Sequence, residues 1–135
     1  MLTIVALTDA ITLAHGLAKS ADGRPLIDAA FTAHPSNLTF PADIENIKLP
    51  VFISHAGEDM VVNDRQLRMI QDIFGQKEKE NGGEEHYVVE VVEGAKHGFA
   101  ARGDPNDEEE LRQGQMAEDQ AVDWFGRWLV GKGNG

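Results

Sequence analysis

The stretch HYVVEVVEGAKHGFA, residues 86–100, runs a valine-rich segment straight into a histidine set among small residues. Tyr87 to Val92 has the β-branched and aromatic composition of a buried strand, and Gly94 follows it with turn chemistry. His97 therefore stands on a bare turn just past a strand end, where an imidazole is available for chemistry. Working outward, LPVFISHA at 49–56 reads as another buried strand, with Pro50 near its start. Between the two, RQLRMIQDIFGQK at 65–77 sets Leu67, Ile70, Ile73 and Phe74 on one helical stripe, closed by Asn81-Gly82-Gly83.

The flanks continue the alternation. Residues 1–7 and LIDAAFTAH at 26–34 read as strands. Between them a helix over about 9–20 has Ile11, Ala14, Leu17 and Ala18 on one face, and Asp22-Gly23-Arg24-Pro25 ends it. A last helix runs from about Asp107 to Val130, with an inner face of Leu111, Ala121, Val122, Phe125 and Leu129. Strands alternating with helices, the middle strands nearly all apolar, define an α/β fold: a mostly parallel sheet of about four strands covered by helices on both faces. Residues 1–130 form one partial domain, and Gly131 to Gly135 read as a flexible tail.

Composition narrows the function. The net charge of −11 disfavours phosphate backbones and anionic lipid, so nucleic acid and membrane are excluded as partners. The excess is uneven, −2 over residues 1–50 and −9 beyond, which reads as a solvated acidic face. The opening MLTIVALTDA has no basic region, and Asp9 interrupts its apolar run, so a cytosolic location is expected. With no cysteine there is no thiolate nucleophile, and His15, His34, His55 and His86 lack zinc-site spacing. No metal and no cofactor are expected.

In parallel sheets, functional groups gather beyond the carboxyl ends of the strands. That rule selects His34-Pro35-Ser36, Gly57-Glu58-Asp59 and Gly94 to Phe99. Neighbouring strands lie about 4.8 Å apart, so Asp59 and His97, each just past a strand, fall within reach of one another. In the order acid then histidine they are the orienting and proton-transferring members of a nucleophile, His, acid triad. From position alone, Asp59 as a turn cap and His97 as a packed loop residue is the favoured reading, since single histidines and loop aspartates are common.

The words around the pair resolve the choice by likeness. LPVFISHAGEDMVV and VVEGAKHGFAARGD, with DAAFTAHPSNLTFPADIENIKLP upstream, closely resemble the dienelactone hydrolase family of α/β hydrolases, over roughly residues 10–130. The resemblance implies that Asp59 is the triad acid and His97 its base. Gly98 and Phe99 complete the local motif. Phe99, His34 and Ser36 are counted with the substrate crevice, and Arg102 is the candidate for meeting a substrate carboxylate. The implied substrate is a small-molecule ester or lactone.

The departure from the family pattern is at the front. The family's G-x-C-x-G-G nucleophile elbow precedes the first helix and would fall near Ile4, yet MLTIVAL holds no cysteine, serine or Gly-rich turn. Ser20, Ser36 and Ser54 all lack a G-x-S-x-G setting. Ser36 is nearest the functional edge and would be the nucleophile of an unusual esterase. The chain thus reads as the carboxyl-terminal half of a hydrolase fold that keeps acid and base but not nucleophile, inactive or very weak alone. The alternative is a noncatalytic binding module, forming a homodimer through an exposed N-terminal sheet edge at 1–7 or 26–34.

Overall fold

The computed structural model describes residues 11, 14–16, 21–23, 29–33, 38–58, 62–80, 86–95 and 106–133, with side chains given as far as Trp128. In chain order these form β1 (Ala30–Ala33), α1 (Ala42–Glu45), β2 (Val51–Ala56), α2 (Asp64–Glu80), β3 (Tyr87–Val92) and α3 (Glu108–Gly133). The three strands make one parallel sheet in the order β1-β2-β3. Val51 is the hinge of the register, paired with Ala30 on one side and Tyr87 on the other. The α/β class expected from the alternation is the class observed. The strand expected at residues 1–7 lies outside the described residues, so three strands are described rather than about four.

Strand pleating sends alternate residues to opposite faces, and the two faces have separate cores. On one side Val51 and Ile53 meet Ile70 and Phe74 of α2, joined by Ile44, Ile47 and Ile11. On the other, Phe31, Phe52 and Val92 meet Ala117, Trp124 and Phe125 of α3. Helix α2 starts with a reciprocal cap. The Asn63 amide donates to Gln66 Oε1 and the Gln66 amide to Asn63 Oδ1, both at 3.0 Å. Its far end is tied to the next strand, because Glu78 Oε1 accepts the amides of both His86 and Tyr87. Asp107 Oδ1 caps α3, accepting from Glu109 N at 2.9 Å and Glu110 N at 3.2 Å.

Several expectations are corrected. β3 is not a buried strand: Glu90 and Val91 are exposed and only Val92 is buried. Like β1, it is an outer strand of the described sheet, with β2 on one side only. β1 is buried at all four positions. The helix expected over about 9–20 is broken at Ala14 to Gly16. Ala14 and His15 form a turn and Gly16 takes a φ of 73°. The Ala14 carbonyl, which a longer helix would use internally, instead accepts Lys48 N at 2.8 Å and Leu49 N at 3.0 Å. His15 Nε2 bonds the Asp43 carbonyl at 2.8 Å, fixing the same corner.

The inner face of α3 also differs. Leu111 is 50% and Val122 65% exposed, whereas Gln113, Ala117, Trp124 and Phe125 are buried. Leu111 stands two residues from Gln113, and Val122 two from Trp124, about 200° around an α-helix and so on its far side. Trp124 wins the inward place because its ring packs on Phe52 and its indole N–H donates to the Ala30 carbonyl at 2.9 Å. The helix continues to Gly133, three residues into the stretch expected to be a tail.

Candidate functional site at the strand ends

All three strands point the same way, so Ala33, Ala56 and Val92 end at one edge of the sheet. Beyond that edge two of the loops are joined through their backbones. The Gly57 amide donates to the Val92 carbonyl at 2.9 Å and the Glu58 amide to the Ala95 carbonyl at 2.8 Å. Ala95 N returns to Val92 O at 3.2 Å, closing the turn at the end of β3. The β2–β3 pairing therefore continues past the strands instead of splaying apart.

Two glycines make that approach possible. A Cβ on Gly57 would stand 3.0 Å from the Val92 oxygen and 3.3 Å from Glu93 Cα and Gly94 N, tighter than most side-chain contacts, so the facing backbone would have to shift. Gly94 takes a φ of 74°, a left-handed conformation that costs an L-residue about 1–2 kcal/mol. From the helix side, the buried Gln113 faces the same turn. Its amide reaches the Glu93 carbonyl at 3.5 Å, the outer limit of hydrogen bonding, and Glu109 Oε1 at 3.2 Å. Sequence periodicity gave no sign of Gln113, because a polar residue two places from an apparently inward leucine reads as surface.

Asp59, His97, Arg102, His34, Ser36 and Phe99 lie outside the described residues. The described chain carries the loops to within one residue of Asp59 and two of His97, at the hydrogen-bonded pair Glu58 and Ala95. Ser54 is fully buried and donates its hydroxyl to Gln120 Oε1 at 2.6 Å, which leaves it no access to a substrate. His55 is buried on the α2 side of the sheet. Ser20 lies outside the described residues.

Among the described residues the titration shifts lie at Lys77, Tyr87 and the Glu109–Arg112 pair. Burial, then the nearby Lys48, lowers the Lys77 ammonium, which donates to the Ile47 carbonyl at 2.7 Å. Burial, then Glu78, raises the Tyr87 phenol. Glu109 is held below its ordinary value by hydrogen bonds from Arg112, the shortest at 2.6 Å.

A parallel sheet of three strands with helices on its faces is of the α/β class and agrees with part of an α/β-hydrolase fold, and the sequence assigns the family. The model of the dienelactone hydrolase family matches residues 14–129, and the chain belongs to that family. Hydrolase tropI of Talaromyces stipitatus is 30% identical over 106 residues, covering 78% of this chain and 39% of the relative. The chain thus spans well under half the length of that relative. Its ancestry is that of a hydrolase. No helix among the described residues is long and apolar enough to cross a membrane.

Proposed function

We propose that this chain carries the acid and base of a dienelactone-hydrolase-type site, with Asp59 orienting and His97 transferring the proton, and that it lacks the agent of attack. The observation that carries the reading is the double backbone bond of Gly57 to Val92 and Glu58 to Ala95, which launches both loops from one point. In the family chemistry a thiolate attacks the ester or lactone carbonyl and the imidazole moves the proton. The carboxylate fixes the imidazole's tautomer, and backbone amides hold the oxyanion. Arg102 would meet a substrate carboxylate, with His34, Ser36 and Phe99 around the crevice. The 135 residues contain no cysteine, so the covalent step has no thiol to start it. Residual catalysis without a triad member is weak.

Hydrolysis of p-nitrophenyl acetate by the folded protein beside its His97→Ala variant tests this. The expected result is two equal rates near background. Turnover that vanishes in the variant would reveal a working nucleophile and sink the proposal, and phenylmethylsulfonyl fluoride labelling would then show whether Ser36 is that nucleophile.

A second reading, a noncatalytic module that pairs through a sheet edge, draws support from β3, where Glu90 and Val91 are exposed. β1, within the expected 26–34 edge, likewise pairs with β2 on one side only among the described residues. Sedimentation that stays monomeric at high concentration would remove it.

A further inference from the structure

On the α3 side of the sheet, away from the strand ends, lies a cleft of about 300 Å³, at the small end of the range for ligand pockets. It opens between β2, β3 and α3, around Phe52, Val88 and Glu90. Those strand residues precede the ends of β2 and β3 by two to four positions, or roughly 7–13 Å at a strand's rise per residue. The cleft is thus set back from the described ends of those strands.

Its floor is aromatic and fixed. Phe52 and Trp124 meet edge to face with centroids 5.6 Å apart, and the Trp124 indole is pinned to the Ala30 carbonyl. One carboxylate at its border is fixed as well. Buried Ser54 donates to Gln120 Oε1 at 2.6 Å, and Gln120 Nε2 donates to Glu90 Oε2 at 3.1 Å. An exposed glutamate on an outer strand is thereby held in one orientation by a hydroxyl beneath the sheet surface. Glu90 Oε1 has no hydrogen-bond partner among the described residues, so one oxygen of the oriented carboxylate is open to a donor.

The remaining charges agree with a cationic guest. Glu90 and Asp123 are acidic and Arg127 basic, so the charged residues lining the cleft leave it with a net negative charge. The Arg127 guanidinium already lies 5.9 Å from the Trp124 centroid, which directs a guest's ammonium to Glu90 and leaves the ring to its apolar body. The −11 charge of the whole chain raises the local concentration of cations further.

We propose that this cleft is a binding site for a small organic ammonium ion with an apolar body. The ammonium pairs with Glu90, and the body rests on Phe52, Val88 and Trp124. It is independent of the Asp59 and His97 reading and of any hydrolysis.

The test is a titration of the full 135-residue chain, followed by two-dimensional amide and indole NMR, with benzylammonium, benzyl alcohol and benzoate. Benzylammonium should give saturable shifts at Val88, Glu90, the Gln120 side chain and the Trp124 indole, and bind more tightly than the other two. Glu90→Gln keeps the acceptor for Gln120 but removes the charge. It should weaken benzylammonium about fivefold, the upper worth of an exposed ion pair. Added salt should weaken wild-type binding in the same direction, a readout that needs no variant. Equal affinity for all three probes, indifference to Glu90→Gln or to salt, or no saturable shift at those residues would each overturn the proposal.

Discussion

The two faces of the sheet are built on different principles. The α2 face is a mostly aliphatic core, with Val51, Ile53 and Ile70 all fully buried around Phe74 and the buried Thr32 and His55 on the same side. The α3 face is aromatic and threaded by polar groups: Phe52, Trp124 and Trp128 pack beside the Ser54, Gln120, Glu90 chain, and a cleft opens among them. The first arrangement maximises apolar area removed from water. The second leaves part of that area unused and holds polar atoms in fixed directions, which is what recognition needs.

Truncation separates the faces most strongly. Phe74→Ala should cost about 3–5 kcal/mol, because the closed core can neither collapse nor hydrate the void. Phe52→Ala should cost clearly less, since water from the cleft enters the space. Urea denaturation with unchanged slopes would measure both, and equal losses would erase the distinction between the faces.

Glycine replacement sharpens the contrast between the strand-end stitch and the rest of the fold. Gly57→Ala should destabilise by about 1–3 kcal/mol, the usual cost of overpacking. Gly75→Ala, in α2 with nothing within 4 Å of its Cβ position, should stabilise by up to about 1 kcal/mol through helix propensity. Thermal melts of the two variants should shift in opposite directions. A neutral Gly57→Ala would mean that the loops are not clamped.

On the α3 face, Ser54→Ala removes the donor to Gln120 and should cost about 1 kcal/mol. It should also broaden the Glu90 resonances if the thread orients that carboxylate. The smallest effect is expected at the exposed Glu109. Its folded value lies below the ordinary 4.5 because of Arg112, so its stabilisation is present above that value and lost as pH falls through the lowered one. Arg112→Ala should flatten this acid limb of the stability curve, and an unchanged limb would remove Glu109 as its source.

What the sequence disclosed follows from which interactions are local. β2 and α2 were legible because a run of buried apolar residues and a regular stripe at Leu67, Ile70, Ile73 and Phe74 need no partner to be recognised. The inner face of α3 was misread because Leu111 and Val122 are individually apolar, while the true face is chosen by what Trp124 meets on the sheet. The stop at Gly16 was hidden for a similar reason: the competing donors, Lys48 and Leu49, are more than thirty residues away in sequence. Of the candidate site, the motif words placed Asp59 and His97 on adjacent strand-end loops. That Gly57 lets those loops touch depends on backbone distances no pattern of residue types encodes.

Proton NMR of the wild-type protein offers the sharpest trial of the proposed acid and base pair. An imidazole N–H held by a carboxylate gives a strongly downfield resonance that is protected from exchange with water. A resonance of this kind, absent from both His97→Ala and Asp59→Asn, is the result expected if the two loops bring those side chains together. A spectrum without it, or one in which it survives Asp59→Asn, would mean that the stitched loops do not build the pair.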